Sequence, residues 1–227
     1  GSMAKRLGMF TIIALGSLVA VSPAVHAQDA SQAACAQHAI VNVDIAAQDL
    51  PLAIAEFVAI INSLLEIAEA DAGVAHLTRS DFDMTVMVQD AVELFRPVAE
   101  DRAIAFHVTV PSGPLMFAGD KGRLQRVLAN LIDNAIKYTG SSGQVRVALE
   151  DGLTHINISV SDSGIGIDEH DLPRIFDRFY RADRSRSTCG NGLGLSLAHA
   201  FVKAHRGHIE VESAQGKGST FRIVLPC

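Results

Sequence analysis

The chain has 227 residues, 48% of them hydrophobic and 19% charged, so it can bury the core of at least one sizeable domain. Its formal net charge of -6 argues against a nucleic-acid-binding protein, because the contact surface of such a protein is basic. Cys35, Cys189 and Cys227 have no metal-ligand spacing and cannot all pair with one another, which is typical of reduced thiols.

The first 27 residues are predicted to be separate from the fold. Residues 1–3 are typical of a cloning remnant, and Lys5 and Arg6 precede an uncharged run of 19 residues, followed by a short segment that ends at Ala27. A basic start, an apolar middle and small residues at the end favour a secretory signal, and the run is also just long enough for a membrane anchor. Residues 28–48 are predicted to be irregular.

A long helix is predicted within residues 49–78. Pro51 suits its first turn and Gly73 suits its end. The spacing of its apolar residues fits a coiled-coil or bundle partner, and it fits packing on the chain's own domain equally well. The apolar residues recur every three or four positions: Ile54, Phe57, Ile61, Leu64 and Ala68.

From residue 79 onward, helical and strand patterns alternate. This order predicts an α/β fold, a two-layer sandwich in which helices cover one face of a mixed β-sheet. A hairpin is predicted around Asp151 and Gly152. The predicted helices are 81–102, 120–139, a short piece within 168–181, and 193–206; the predicted strands are 103–110, 114–120, 143–151, 154–162 and two between 208 and 226.

Three glycine-rich turns follow or flank these elements. They are DSGIGI at 162–167, GNGLGL at 190–195 and GKGST at 216–220. None has the spacing of a Walker loop or of a Rossmann dinucleotide fingerprint. A single turn of this kind is weak evidence for a ligand, but three around one polar helix indicate a binding site.

The helix at 120–139 carries a polar stripe formed by Asn130, Asn134 and Lys137. An asparagine oxygen can ligate Mg²⁺ and a lysine can meet phosphate, so the stripe suits a metal-bound polyphosphate. The alternative is a solvated face with an Asp133–Lys137 pair, worth about 0.3–0.5 kcal/mol. The opposite face is predicted to lie against the sheet: Leu124, Leu128, Leu131, Ile132 and Ala135.

Five segments resemble, in order and spacing, the N, G1, F, G2 and G3 boxes of the ATP-binding catalytic domain of sensor histidine kinases. They are LANLIDNAIKYT, DSGIGI, RIFDRFYRAD, GNGLGLSLAHAFVKAHRG and GKGSTFRIVLP. The resemblance covers about residues 79–226. It implies the Bergerat-type α/β sandwich, ATP and Mg²⁺ as ligands, and a mobile lid at roughly residues 181–191.

The resemblance also implies roles for individual residues. Asn134 is expected to chelate Mg²⁺ with Asn130 beside it, Lys137 to contact phosphate, Tyr138 to line the base and Asp162 to accept from the adenine amino group. The other implied nucleotide-site residues are Gly164, Gly166 and Ile167 near the base, Phe176 and Phe179 as lid anchors, Gly190, Gly192, Leu193 and Gly194 at the phosphates, and Thr220 near the base.

Asn130 distinguishes two reaction types within this superfamily. The gyrase, mismatch-repair and chaperone ATPases carry a glutamate at the matching position, where it activates water as a general base. An asparagine cannot take a proton, so the resemblance implies a site that holds ATP for transfer to another nucleophile.

No catalytic residue is identified, because none of the nine histidines has the context of a phosphoacceptor. Residues 49–73 resemble the second helix of the family's dimerisation hairpin, and no segment resembles the first. We therefore expect a truncated or rearranged kinase whose domain, residues 79–227, transfers phosphate to a histidine supplied by another segment or chain. The alternative is a non-catalytic ATP-binding regulator.

The resemblance implies partners as well as ligands. Besides ATP or ADP, these are a response regulator or a histidine-hairpin protein, and a second copy of the chain through residues 49–73. The kinase resemblance places the domain in the cytoplasm, at or near the inner membrane, whereas the leader resembles an export signal, so these two expectations conflict.

Overall fold

The computed structural model of the chain describes residues 50–73, 76–181 and 191–227. The predicted leader at 1–27, the segment 28–48 and most of the predicted lid, including Gly190, lie outside the described residues. Cys227 is an exposed free thiol.

A five-stranded mixed sheet forms one layer of the fold, in the order β2-β4-β5-β7-β6. Only β2 and β4 are parallel, and the other neighbours are antiparallel. The predicted hairpin around Asp151 and Gly152 is confirmed as β4 and β5. The strands are β1 Ser80–Asp83, β2 Ala105–Thr109, β3 Met116–Gly119, β4 Gln144–Asp151, β5 His155–Asp162, β6 His208–Ala214 and β7 Gly218–Pro226.

Helices cover one face of this sheet, which confirms the predicted two-layer α/β sandwich with a long helix before it. Alternate residues of β4 and β5 are buried, as expected when only one face of a sheet is covered. The helices are α1 Leu50–Asp71, α2 Met84–Asp101, α3 Lys121–Tyr138 and α4 Gly194–Ala204, with a short 3-10 helix at Leu172–Arg174.

The central helix α3 has the two faces that its sequence predicts. All five residues expected to face the sheet are buried, and Val127 and Ile136 join them. Asp120 caps the helix, because its Oδ1 accepts a hydrogen bond from the Arg123 backbone N–H at 3.1 Å. This burial fixes the rotation of α3, so that its polar stripe lies along the edge of the core.

Residues 81–83 lie in a strand and are not, as predicted, the start of a helix. This strand is β1, which pairs with β3 in a separate two-stranded sheet. Asp83 explains the change, because its Oδ1 accepts from the backbone N–H of Thr85 at 2.9 Å and of Leu115 at 3.0 Å. The aspartate therefore caps α2 and binds the segment that leads into β3.

Helix α1 packs on its own domain, which is one of the two alternatives that its apolar spacing allowed, and Leu64 of the predicted apolar stripe packs against the core. Ile67 is only 2% exposed, whereas Ile54, Phe57 and Ile61 are 47% to 62% exposed. Ion pairs hold the inner face: Glu66 with Arg126 at 2.8 Å and Asp71 with Arg178 at 2.5 Å. Among the described residues, no helix has the length and hydropathy needed to cross a membrane.

Candidate functional site

The main cavity of the described chain has a volume of about 400 Å³ and lies between α3, the loop after β5, the start of α4 and β7. It brings together all three glycine-rich regions of the sequence around one edge of α3. The predicted site residues that line it are Asn130, Asn134, Lys137, Tyr138, Asp162, Gly166, Ile167, Gly192 and Gly194.

The polar stripe of α3 forms one wall of this cavity. Asn130 donates a hydrogen bond from Nδ2 to the Gly194 carbonyl at 3.3 Å, which ties α3 to the start of α4. Within the described part of the chain, the Asn134 side chain makes no hydrogen bond, so its carboxamide oxygen is available in the cavity. A neutral oxygen in this position fits the ligands that Mg²⁺ takes from proteins.

Lys137 forms the ion pair of the solvated-face alternative and also lines the main cavity. Its ammonium lies 2.5 Å from Asp133 Oδ2, as the alternative of an i,i+4 pair predicts. Both residues nevertheless line the main cavity. An anion entering the cavity would therefore meet a lysine that already has one carboxylate partner.

Asp162 ends β5 and supplies the acceptor at the opposite wall. Its Oδ1 accepts from the Gly164 backbone N–H at 2.8 Å, and the Ser219 backbone N–H also hydrogen-bonds to the carboxylate. Burial raises the pKa of Asp162 above its usual value, and these two hydrogen bonds partly oppose that shift. The same cavity also has apolar lining residues: Ala135, Ile165, Ile167, Ile175 and Phe221.

The glycine at 166 is required by the protein's own packing. Gly166 has φ +67°, and a Cβ there would lie 2.0 Å from the carbonyl oxygen of Ala214, the last residue of β6. The resemblance places this glycine near the base, and the structure shows in addition a close approach of its backbone to the end of β6. Gly164 does not line the cavity, and its contribution is the N–H that binds Asp162.

The start of α4 forms the far end of the cavity. Gly192 has φ +68°, and its carbonyl accepts from the Phe179 backbone N–H at 3.0 Å. A Cβ on Gly192 would lie 2.8 Å from the Phe179 carbonyl carbon, so this contact excludes larger residues. Gly192 and Gly194 line the cavity at a helix N-terminus, where backbone N–H groups and the helix dipole favour anions.

Four other predicted residues lie beside the cavity but do not line it. The Phe176 ring is half-buried, 5.0 Å from the His199 ring, whereas the Phe179 ring is 55% exposed. Leu193 is buried at the N-cap of α4. Thr220 donates from Oγ1 to Ser161 Oγ at 3.0 Å, while its neighbours Ser219 and Phe221 line the cavity.

Several residues that line the main cavity were not predicted from the sequence. Tyr180 donates from its hydroxyl to Asp171 Oδ1 at 2.7 Å, and the Arg174 guanidinium lies 4.3 Å from the Tyr180 ring centroid. Ser219 and Phe221 could have been found, because alternation along β7 directs residues on either side of Thr220 to the opposite face. Asp171 and Tyr180 gave no local signal.

None of the seven described histidines lines the main cavity. His205 is the buried one: its Nε2 accepts from the Asp120 N–H at 3.0 Å, and its Nδ1 lies 2.8 Å from the Phe201 carbonyl. Burial lowers the pKa of His205, so the neutral ring with its proton on Nδ1 satisfies both contacts. This histidine therefore joins β3 and α4 to the start of α3.

Comparisons with known proteins agree with this arrangement. Residues 119–227 match the family described as histidine kinase-, DNA gyrase B-, and HSP90-like ATPase. The sensor histidine kinase RppB of Synechocystis is 43% identical over 142 residues, which are 62% of this chain and 31% of RppB. The circadian input-output histidine kinase CikA of Thermosynechococcus vestitus is 37% identical over 171 residues, 74% of this chain and 24% of CikA.

A solved structure extends the match to three dimensions. The nucleotide-free catalytic domain of the histidine kinase ThkA superposes with a TM-score of 0.59 at 30% identity, covering 65% of this chain and 95% of that domain. Fold and cavity together thus define an ATP-binding sandwich domain. The chain belongs to the histidine kinase-, DNA gyrase B- and HSP90-like ATPase family, and carries the catalytic domain of the sensor histidine kinase type. It spans only about a quarter to a third of the length of the two curated relatives.

Proposed function

We propose that this chain holds Mg²⁺–ATP in the main cavity and positions it for phosphoryl transfer to a histidine supplied by another segment or chain. The observation that carries the proposal is the meeting, in one cavity, of the α3 polar stripe, a partly buried acceptor at Asp162 and the N-terminus of α4. These three features match the three chemical parts of the ligand: metal, amino purine and polyphosphate.

Each part of the nucleotide has its own residues in this proposal. Asp162 accepts from the adenine amino group, and the apolar wall with Tyr138 covers the base. Lys137 and the backbone N–H groups at the start of α4 bind phosphates. Asn134, with Asn130 beside it, would hold Mg²⁺, which when bound offsets the phosphate charge.

The cavity is poorly equipped to activate water. Asn130 cannot act as a base, and no glutamate is among the described lining residues. The described lining carboxylates already have partners: Asp133 has Lys137, Asp162 has two backbone N–H groups, Asp168 accepts from the His170 N–H and Asp171 accepts from Tyr180. We therefore expect very slow ATP hydrolysis.

The proposed partners follow from family membership and from α1. The relatives are sensor histidine kinases, so a response regulator or a histidine-hairpin protein is the proposed recipient or partner. The exposed apolar residues of α1, such as Phe57 and Leu65, are the proposed contact with a second copy of the chain. Because the reaction consumes ATP, we place this domain on the cytoplasmic side.

The test combines binding with transfer. Calorimetry should show Mg²⁺-dependent ATP binding, and γ-labelled ATP should label an added histidine-hairpin domain from a sensor histidine kinase while leaving this chain unlabelled. Asn134→Ala is the control variant, which should lose both the Mg²⁺-dependent ATP binding and the labelling of the hairpin domain. Near-stoichiometric, acid-labile and base-stable label on this chain alone would show that one of its own histidines is the acceptor.

A non-catalytic ATP-binding regulator is the second candidate, since none of the described histidines lines the main cavity. It predicts normal ATP binding with no label on any added hairpin domain. The transfer step of the same experiment separates the two functions.

A further inference from the structure

A smaller cavity, which we call the side cavity, adjoins the main cavity at Asn130, Asn191 and Gly194. Its volume is about 230 Å³. Its other described lining residues come from three helices and the turn before α4: Ser63, Arg126, Ala129, Leu193 and Leu197. The side cavity therefore begins where the α4 end of the main cavity stops, and it reaches α1.

Arg126 is the one charged residue among the described residues that line the side cavity. It precedes Asn130 by one helical turn, as Asn130 precedes Asn134, so the three residues form a continuous row along α3. The row runs from the proposed metal position into the side cavity. It places a guanidinium beyond the last residue that both cavities share.

That guanidinium is already paired with helix α1. Arg126 Nη1 donates to both carboxylate oxygens of Glu66 at 2.8 Å, and the guanidinium also lies 5.4 Å from the Phe201 ring centroid. Both charged side chains remain partly exposed to solvent, so their ion pair is only weakly stabilising. A phosphate group, with more negative charge and several acceptor oxygens, can compete with one carboxylate for an arginine fork.

The nucleotide would approach Arg126 with its terminal phosphate. The Tyr138 carbonyl, at the end of α3, accepts from the Ile165 N–H in the loop that follows Asp162, whereas Gly194 contacts Asn130, about two helical turns earlier on α3. With Asp162 reading the base, the base and the glycines of α4 therefore lie toward different ends of the main cavity. The γ-phosphate is the part of ATP farthest from the base, and ADP lacks it. It therefore belongs nearest to the junction with the side cavity.

We propose that Arg126 recognises the γ-phosphate and distinguishes ATP from ADP, and that Glu66 of α1 competes with the γ-phosphate for this arginine. The inference rests on the proposed function, since it requires ATP in the main cavity. It adds a link between nucleotide state and α1, because binding of ATP then weakens one of the two ion pairs that join this helix to other described residues. Linkage makes this competition reciprocal. Loss of the Glu66 carboxylate must therefore strengthen ATP binding by the same factor by which bound ATP weakens the Glu66–Arg126 pair.

The test measures affinities for Mg²⁺–ATP and Mg²⁺–ADP by calorimetry on the full chain. Arg126→Gln should weaken ATP binding by roughly tenfold or more, the scale of a lost charge-assisted contact, and leave ADP binding unchanged. Glu66→Gln should tighten ATP binding by roughly twofold to fivefold, the scale of a lost exposed pair, again without effect on ADP. Arg96→Gln, which breaks a bidentate surface pair with Glu93 on α2, is the matched control and should change neither affinity.

Arg126→Gln and Glu66→Gln together separate recognition of the γ-phosphate from a structural effect of breaking their ion pair. Both break the Glu66–Arg126 pair, so a purely structural role would move both affinities in the same direction. An unchanged ATP-to-ADP ratio in Arg126→Gln would overturn the inference while leaving the proposed function in place. Failure of the unsubstituted chain to bind either nucleotide would overturn both.

Discussion

The two ends of the main cavity are organised in different ways. At the base end, Asp162 already has hydrogen bonds from two backbone N–H groups, and the wall comes from the sheet and its adjoining loop. At the phosphate end, the Asn134 side chain makes no hydrogen bond within the described residues, and Asn130 makes one weak contact to Gly194. The base end is set by the fold, whereas the phosphate end leaves polar groups for the ligand to satisfy.

This difference predicts two kinds of mutational effect. Substitution of a side chain without described contacts at the phosphate end, such as Asn134, should remove ligand interactions and leave folding nearly unchanged. A substitution at the base end should affect both, because the same atoms hold the loop after β5 and read the base.

The largest effect on binding is expected for Asn134→Ala. The variant loses the carboxamide oxygen proposed to bind Mg²⁺, and we expect about a hundredfold weaker ATP binding that no longer responds to added Mg²⁺. Its thermal unfolding should match the unsubstituted chain, because no described contact is lost. Calorimetry with and without Mg²⁺ checks this, and an unchanged affinity would contradict the metal assignment.

Asp162→Asn should weaken ATP binding by about tenfold or more, the scale of a lost hydrogen bond to a charged group. The amide NH₂ can donate to a guanine carbonyl, so preference for ATP over GTP should fall. The asparagine also has only one oxygen, so its NH₂ group can come to face the backbone N–H of Gly164 or Ser219. Two donors then face each other, which should lower the unfolding temperature. If ATP and GTP bind the unsubstituted chain equally well, Asp162 does not read the base.

The contrast between the two ends also marks what the sequence could predict. The faces of α3 follow from local periodicity, since every leucine assigned to the sheet side is buried. The ordered boxes predicted the fold and nine of the residues that line the cavity. These features depend on residues close together in the chain.

The features that the sequence did not predict depend on distant contacts. Asp83 ends β1 because it also binds the N–H of Leu115, 32 positions later. The face of α1 that packs is selected by Ile67 and by the Glu66–Arg126 pair, which joins residues 60 positions apart. Gly166 is fixed by the carbonyl of Ala214. Periodicity and motif spacing contain no information on such pairs.

A smaller effect is expected when ATP affinity is measured as a function of pH, and it should come from the base end, where Asp162 titrates. The folded-state pKa of Asp162 is raised by burial, so ATP affinity should fall as the pH drops through a value above 3.8. Folding responds in the opposite direction: stability declines as the pH rises from 3.8 through the raised pKa, because the unfolded chain ionises first. Asp162→Asn should remove this component and leave only titration of the nucleotide and other groups.

The smallest effect is expected for Thr220→Val, which tests the border of the base end. The resemblance places Thr220 near the base, but its hydroxyl donates to Ser161 on the adjacent strand, and the cavity is lined by Ser219 and Phe221 instead. The variant loses one partly buried hydrogen bond, so unfolding should become easier by about 0.5–1.5 kcal/mol. ATP affinity should change less than about threefold, because Thr220 does not line the cavity. Calorimetry together with thermal melts measures both quantities, and a loss of affinity as large as that of Asp162→Asn would mean that the hydroxyl leaves Ser161 to bind the nucleotide.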